Sequence, residues 1–508
     1  MPRTHVLDYL TEILPQAADK TAFASPAESL TFAALEAQSN AVASALTAQG
    51  LYNEPVVVYM EKSPRTVAAF FGVIKAGCYY VPLDDEMPRV RIELILDTLQ
   101  PRAVIYDTKS KSAAESLIAG KDVIAAYDYA RLVQTAPDLP ALSAIRSRAI
   151  DTDPIYVVFT SGSTGKPKGV CACHRSVIDY VENLSDALGF DSETVFGNQA
   201  PLYVDACLKE LYPTLKFGAA THFIPKGLFS FPVRLIEHLN AVKANTICWV
   251  ASALTMTAGC GALGSVQPEY LRTVAFGSEV FLPKHLNAWR AACPKAKFYN
   301  LYGPTEATGM SCVYPVTRDF SEGEVIPIGK PFPNTEVFLY TKEAGLITAP
   351  DTPGEMLIRG TCLTMGYYAD PERTAAAFIQ NPFHDRYPEW VYCTGDLAKY
   401  DADGNLIFLS RKDYQIKHMG HRIELGEIES AALTMDGMTG CCALFHPESK
   451  KLLLAYAPEL DKAAVLTHLR GKLPRYMLPN GLFPIEAMPL TPNGKIDRVL
   501  LRQTYAGA

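Results

Sequence analysis

No apolar stretch of this chain reaches the roughly 18 residues that a membrane-crossing helix needs, so no membrane span is expected. The opening Met1-Pro2-Arg3-Thr4-His5 lacks the hydrophobic core of a secretory leader, which makes a cytoplasmic location the expectation. Positive charge is in deficit: 47 Lys and Arg against 54 Asp and Glu leave a net charge of −7, with no electrostatic footprint for nucleic acid. Cysteine is plentiful, at 12, but its placement lacks the pattern of a disulfide framework or a zinc site. Cys78, Cys207, Cys248 and Cys312 lie inside apolar patterns. The pairs Cys171/Cys173 and Cys441/Cys442 have no second pair at ligand spacing. Reduced, mostly buried thiols are expected. Internal repeats and low-complexity segments are also missing, and 508 residues are too many for one core, so two or more domains are expected.

What stands out instead is Val157-Val158-Phe159-Thr160-Ser161-Gly162-Ser163-Thr164-Gly165-Lys166-Pro167-Lys168-Gly169-Val170. A strand-like run feeds a loop of hydroxyls and glycines bearing two lysines. Glycines let successive backbone N–H groups converge on an anion, hydroxyls add donors, and lysines neutralise charge. The loop grips phosphate, which implies a nucleoside triphosphate. It is not a Walker loop, because Gly165-Lys166 is followed by Pro167, which cannot open a P-loop helix in the usual way. The fourteen residues together resemble the adenylate-forming superfamily: acyl- and aryl-CoA ligases, luciferases and peptide-synthetase adenylation domains.

Three further blocks occur in the order of that superfamily. In Asn300-Leu301-Tyr302-Gly303-Pro304-Thr305-Glu306 a Gly-Pro turn gathers an aromatic ring, a hydroxyl and a carboxylate at a strand end. By resemblance, Tyr302 stacks on adenine, Thr305 reaches the α-phosphate and Glu306 holds Mg²⁺, with Asn300 and Gly303 beside the nucleotide. Tyr392-Cys393-Thr394-Gly395-Asp396 offers a carboxylate with two acceptor oxygens to the two ribose hydroxyls. Arg411, in Ser410-Arg411-Lys412-Asp413, matches a ribose-contacting arginine, although the family usually has Gly where Ser410 stands. Pro492-Asn493-Gly494-Lys495 matches the turn carrying the family's adenylation lysine, a cation that stabilises charge at the α-phosphate during carboxylate attack. Thr160, Ser161, Gly162, Ser163, Thr164, Gly165 and Lys168 are assigned to the phosphates, and Thr305, Glu306 and Lys495 to catalysis. Gln415, Lys417, Gly420 and Arg422 fit the block after Asp413, the matching hinge residue. With Lys75-Ala76-Gly77 to Pro82-Leu83 upstream, the resemblance covers nearly the whole chain.

The reaction so implied joins a carboxylate to AMP with release of pyrophosphate, and a thiol then takes the acyl group. Asp205, in Tyr203-Val204-Asp205-Ala206-Cys207-Leu208-Lys209-Glu210, stands where amino-acid-activating members pair an aspartate with the substrate ammonium. An ammonium withdrawn from water needs such a counter-charge. The competing reading makes Asp205 a helix cap. By position, Ala206, Lys209, Trp249, Ala275, Gly277, Leu301, Gly309 and Met310 line the same pocket. Lys209 has two readings: it meets a carboxylate on the substrate side chain, or it pairs with Glu210 or snorkels to water. Trp249 would shorten the pocket or stack on a planar substrate. Asn198-Gln199-Ala200-Pro201 and Leu211-Tyr212-Pro213 resemble the D-alanine–carrier protein ligases, and an acyl- or aryl-CoA ligase is the alternative if Asp205 turns away.

Apolar runs alternate with helical patterns over the first four-fifths, as in Val56–Met60 before Arg65–Lys75, which predicts layered α/β structure. Residues 134–154 read as a linker. Beyond Gly404 the pattern shortens: strands are expected at Gly440–Phe445 and Lys451–Ala457, helices at Ile423–Met435 and Lys462–Leu473. The expected architecture is a large N-terminal α/β domain over 1–412, holding the ATP and amino-acid sites, and a small mobile α+β domain over 413–508. Few residues follow Arg498, so the expected acceptor is the phosphopantetheine of a separate carrier protein, with a free-standing enzyme favoured over a piece of a synthetase.

Overall fold

The computed structural model describes residues 3–84, 86–120, 125–162, 166–412, 415–446, 449–491 and 496–505. Ser163, Thr164, Gly165, Asp413 and Lys495 therefore lie outside the described residues. The chain divides into two compact units, one of residues 1–85, 100–158 and 169–410, the other of 86–99, 159–168 and 411–508.

The larger unit is built from strand–helix–strand crossovers. The strand Pro55–Tyr59 leads through the helix Pro64–Lys75 to the parallel strand Tyr79–Leu83. Ser63 starts that helix by accepting the Thr66 N–H, and Pro64 sits where a missing N–H is no loss. Both strands are buried along their whole length, which is why they read as continuous apolar runs rather than alternating ones. They belong to a six-stranded sheet ordered Ala125–Asp128, Ala103–Tyr106, Pro55–Tyr59, Tyr79–Leu83, Pro154–Thr160, Lys168–Cys173.

A nine-stranded sheet holds the site. Its six central strands, Thr21–Ala24, Ala220–Phe223, Val195–Asn198, Thr246–Val250, Thr273–Gly277 and Lys297–Tyr302, run parallel. The helices Phe32–Ala48, His174–Leu188 and Leu208–Phe217 cover one face, and their apolar sides share one core with both sheets. The other face packs on the helices Pro232–Ala241, Ala251–Gly259 and Pro283–Ala292. A third, antiparallel sheet centres on Gly354–Gly360 and Trp390–Tyr400. This is the α/β architecture expected from the sequence.

Residues 134–154 are not merely a linker. Asp138 caps a helix, Leu139–Arg148, by accepting the Ala141 N–H, and Leu142 and Ile145 are buried one turn apart. The Ala- and Pro-rich composition hid this short amphipathic segment.

In the smaller unit the strands Gly440–His446, Lys451–Ala457 and Gly481–Pro484 form one sheet, covered by the helices Leu425–Leu433 and Lys462–Arg470. The first helix begins two residues later than its apolar spacing predicts, because His421–Glu424 pairs with Gln415–His418 as a hairpin.

Candidate active site

The parallel strands of the nine-stranded sheet deliver Gly277, Leu301 and Tyr302 at their C-terminal ends, where open α/β sheets place ligands. Past Tyr302 the chain makes a 3₁₀ turn, Thr305–Ala307, and doubles back so closely that a Cβ on Gly303 would lie 2.3 Å from the Gly309 carbonyl oxygen. Only glycine fits there.

Tyr302 and Asp396, 94 residues apart in the chain, meet: the Tyr302 hydroxyl donates to Asp396 Oδ2 at 2.5 Å, and both residues are buried. The Thr394-Gly395-Asp396 step is not a terminal turn but a bulge inside the strand Trp390–Tyr400, opposite Glu355–Leu357. Gly395 has φ +72°, the left-handed conformation glycine tolerates, and Thr394 ties the bulge down by donating to the Met356 carbonyl at 2.7 Å. The two extra residues re-aim Asp396 toward Tyr302.

Glu306 is fully buried, and its Oε1 accepts the Tyr367 hydroxyl at 2.7 Å. Its backbone carbonyl accepts both the N–H and the hydroxyl of Thr364 at 3.0 Å. Thr305 is half-buried beside it. Asn300 uses its amide to hold the Pro327 carbonyl at 2.8 Å, a positioning contact of the strand's other face. Among the described residues no group of three His, Cys, Asp or Glu could hold a metal ion. The single carboxylate of Glu306 is a donor of the kind Mg²⁺ takes alongside nucleotide phosphates and water.

Asp205 opens a 3₁₀ turn, Asp205–Cys207, that runs directly into the helix Leu208–Phe217. Asp205 and Lys209 thus stand one turn apart on one side. Around them Ala275, Leu301 and Met310 are buried in the core shared with the covering helices, and Ala206 packs against it. Gly277 lies so close to the next strand that a Cβ would sit 2.4 Å from the Leu301 carbonyl oxygen. Gly309 has φ +86°, and a Cβ there would meet the Tyr180 ring at 3.1 Å. Charge from Asp205 acts on the buried hydroxyls of Tyr156 and Tyr180, which have no hydrogen-bond partner among the described residues.

Trp249 is not part of this group. Its indole N–H donates to the Gly197 carbonyl at 2.7 Å, and its ring packs edge-on against Phe229 in the core on the opposite sheet face. The neighbouring Cys248 occupies the pocket face instead, beside Ala275 in register. A fully buried parallel strand carries no polar alternation to tell its faces apart, and a one-residue slip exchanges them.

Sequence reasoning also missed a buried polar cluster that the charge of Lys209 reaches through Glu210. Lys62 donates to the Asn198 and Gln199 carbonyls at 3.3 and 3.2 Å, and Asn198 Nδ2 donates to Glu210 Oε2 at 3.2 Å. Burial pushes the Glu210 carboxyl up to about 7 and the Lys62 ammonium down to about 8. These residues are scattered from 62 to 210 and no local spacing connects them.

The smaller unit holds its own part of the phosphate loop. Thr160 ends the strand Pro154–Thr160, with its hydroxyl buried and unpartnered among the described residues. Ser161 donates to the Arg422 carbonyl at 2.5 Å, and the Gly162 N–H faces the carboxylate of Glu427. Glu427 is paired in turn with Arg91, both nearly inaccessible to solvent. Burial raises the Glu427 carboxyl, against the pull of Arg91. Lys168 is buried at the start of the strand Lys168–Cys173, and Arg411 ends Leu406–Arg411 half-buried.

A family model for AMP-binding enzymes matches residues 11–368, and the chain belongs to that family, the adenylate-forming enzymes. Within it, tyrocidine synthase 1 of Brevibacillus parabrevis is 32% identical over 95% of this chain but only 43% of its own length. Zwittermicin A synthase ZmaJ of Bacillus cereus is 31% identical, over 95% of this chain and 92% of its own. NpsA-ThdA, an artificially fused adenylation–PCP di-domain NRPS from Klebsiella oxytoca, shares the fold with a TM-score of 0.81 at 22% identity, over 95% of this chain and 94% of that one. No helix among the described residues is long and apolar enough to cross a membrane.

Proposed function

We propose that this chain activates an amino acid as its aminoacyl-AMP and passes the aminoacyl group to the phosphopantetheine thiol of a separate carrier protein. A carboxylate oxygen of the amino acid attacks the α-phosphorus of ATP. The new acyl–O–P bond forms as the bond to pyrophosphate breaks, its electrons leaving with pyrophosphate. In the second step the thiolate sulfur adds to the acyl carbon and AMP departs.

The residues divide this work. Asp396, fixed by Tyr302, accepts from the ribose hydroxyls, with Arg411 as the second ribose contact, and the Tyr302 ring stacks on adenine. Thr160, Ser161, Gly162 and Lys168, with Ser163, Thr164 and Gly165, bind the phosphates. Thr305 reaches the α-phosphate, and Lys495 offsets the charge that builds there. Glu306 would hold Mg²⁺, which supplies charge neutralisation on the phosphates. The small domain, taken as 413–508 with Asp413 as hinge, carries Lys495.

One observation carries the amino-acid reading: Asp205 stands at the mouth of a helix amid apolar walls and two buried tyrosine hydroxyls. A pocket for an acid lacking an amine has no use for a carboxylate there. Two relatives named as synthases of tyrocidine and zwittermicin A support the same class. Pyrophosphate exchange into ATP, run over L- and D-amino acids, fatty acids and aryl acids, tests it. Exchange with amino acids and none with their deaminated analogues is expected; the reverse order rejects the proposal.

A further inference from the structure

Lys209 is 3% exposed on the first turn of the helix Leu208–Phe217, and among the described residues it makes neither a hydrogen bond nor an ion pair. Both bland fates of such a lysine are thereby set aside. It does not snorkel, because the residue is buried. Its charge acts on the Glu210 carboxyl, but among the described residues no hydrogen bond or ion pair joins the two, and Glu210 Oε2 is held by Asn198 at 3.2 Å.

The charges around it do not balance. Lys62 and Lys209 bring two ammonium groups to the buried Glu210, and Lys62 donates to two backbone carbonyls. Glu210, raised by burial against the pull of Lys209 and Lys62, supplies at most one negative charge to offset the two ammonium groups. Asp205 supplies the remaining carboxylate, and a bound α-ammonium takes that one up. A buried cation left over at that point is stabilised by an incoming anion. Among the described residues around it none is offered: Cys207 and Cys248 are thiols that burial keeps protonated. Tyr156 and Tyr180 contribute unpartnered O–H donors, groups that favour an acceptor such as a carboxylate.

We propose that Lys209 selects amino acids carrying a second carboxylate on a short side chain, of aspartate or glutamate length, an assignment that rests on the amino-acid reading above. Asp205 and Lys209, about 5–6 Å apart at Cβ for one helical turn, then bracket the α-ammonium and the side-chain carboxylate of one molecule. Lys209 is a specificity residue rather than part of the reacting set.

The test is pyrophosphate exchange with the full chain, comparing glutamate, aspartate and 2-aminoadipate with glutamine, asparagine, leucine and alanine, in both chiralities. A dicarboxylic amino acid should exceed its amide counterpart by about 100-fold or more in kcat/KM. Lys209→Met should level that ratio, chiefly through KM. Lys209→Glu should move the preference toward lysine or ornithine, a change that loss of fold would not produce. Wild-type enzyme that uses glutamine as well as glutamate, or a folded Lys209→Met that keeps the discrimination, overturns the Lys209 assignment while leaving amino-acid activation standing. Exchange with aryl or fatty acids alone overturns the amino-acid reading itself.

Discussion

In the proposed function Asp205 is the residue on which amine recognition turns, and removing its charge would leave the substrate ammonium without a partner. Asp205→Asn should lower kcat/KM for amino acids by about 100-fold relative to their deaminated analogues, since an unpaired buried charge costs about 3–5 kcal/mol. Competing exchange assays with each amino acid and its deaminated acid read this directly. Glu210 makes a different prediction, in stability. Its carboxyl moves from the ordinary 4.5 up to about 7 in the fold, so the folded chain holds that proton more tightly than the unfolded one. Below about pH 4.5 the group costs nothing. Stability then falls as pH climbs to about 7, by up to about 3 kcal/mol, and the loss is complete above that. Glu210→Gln deletes the term, so its Tm advantage over wild type should be small near about pH 5 and larger near about pH 8. Single residues such as Asp205, Tyr302 and Asp396 were visible in the sequence as candidates because each sits in a short block with its own chemistry. Their partners were not: Tyr367 on Glu306, Asn198 on Glu210 and Arg91 on Glu427 are joined only by the fold.

At the scale of elements, the bulge at Thr394–Asp396 decides where the carboxylate proposed to bind ribose points. Gly395→Ala forces a side chain into φ +72°, a strain of about 1–2 kcal/mol that the strand can relieve by losing the extra residues' conformation. The expected result is a several-fold rise in the KM for ATP with little change in the amino acid KM, measured by exchange at varied ATP. Unchanged nucleotide affinity would show that the bulge does not orient Asp396. Helices and strands with distinct periodicity were readable in advance: the helix Pro64–Lys75 had its Ser-Pro start and the strands Gly440–His446 and Lys451–Ala457 their apolar runs. What could not be read was which side of a doubly buried strand faces the pocket. Trp249 and Cys248 are both apolar, both buried and adjacent, and only the packing of Trp249 on Gly197 and Phe229 separates them.

For the molecule as a whole, two compact units with separate cores predict that heating does not melt the chain in one step. Calorimetry should resolve more than one transition, and ATP with a cognate amino acid should move the higher-area one upward, because ligands stabilise what they bind. Lys495→Ala is expected to abolish pyrophosphate exchange while nucleotide binding persists, measured by equilibrium titration with ATP; exchange at the wild-type rate would reject the lysine's assigned role.

The edge of the nine-stranded sheet also bears on how this chain comes into being. Thr21–Ala24 pairs in parallel with Ala220–Phe223, so once synthesised the first of the two has no neighbour on that side until about 200 residues later. At about 5–20 residues per second of synthesis that wait is about 10–40 s. During it the nascent chain presents Phe23 and its apolar companions to the cell, and slow codons between the two strands would lengthen the interval in which chaperones, or other nascent chains, can reach them.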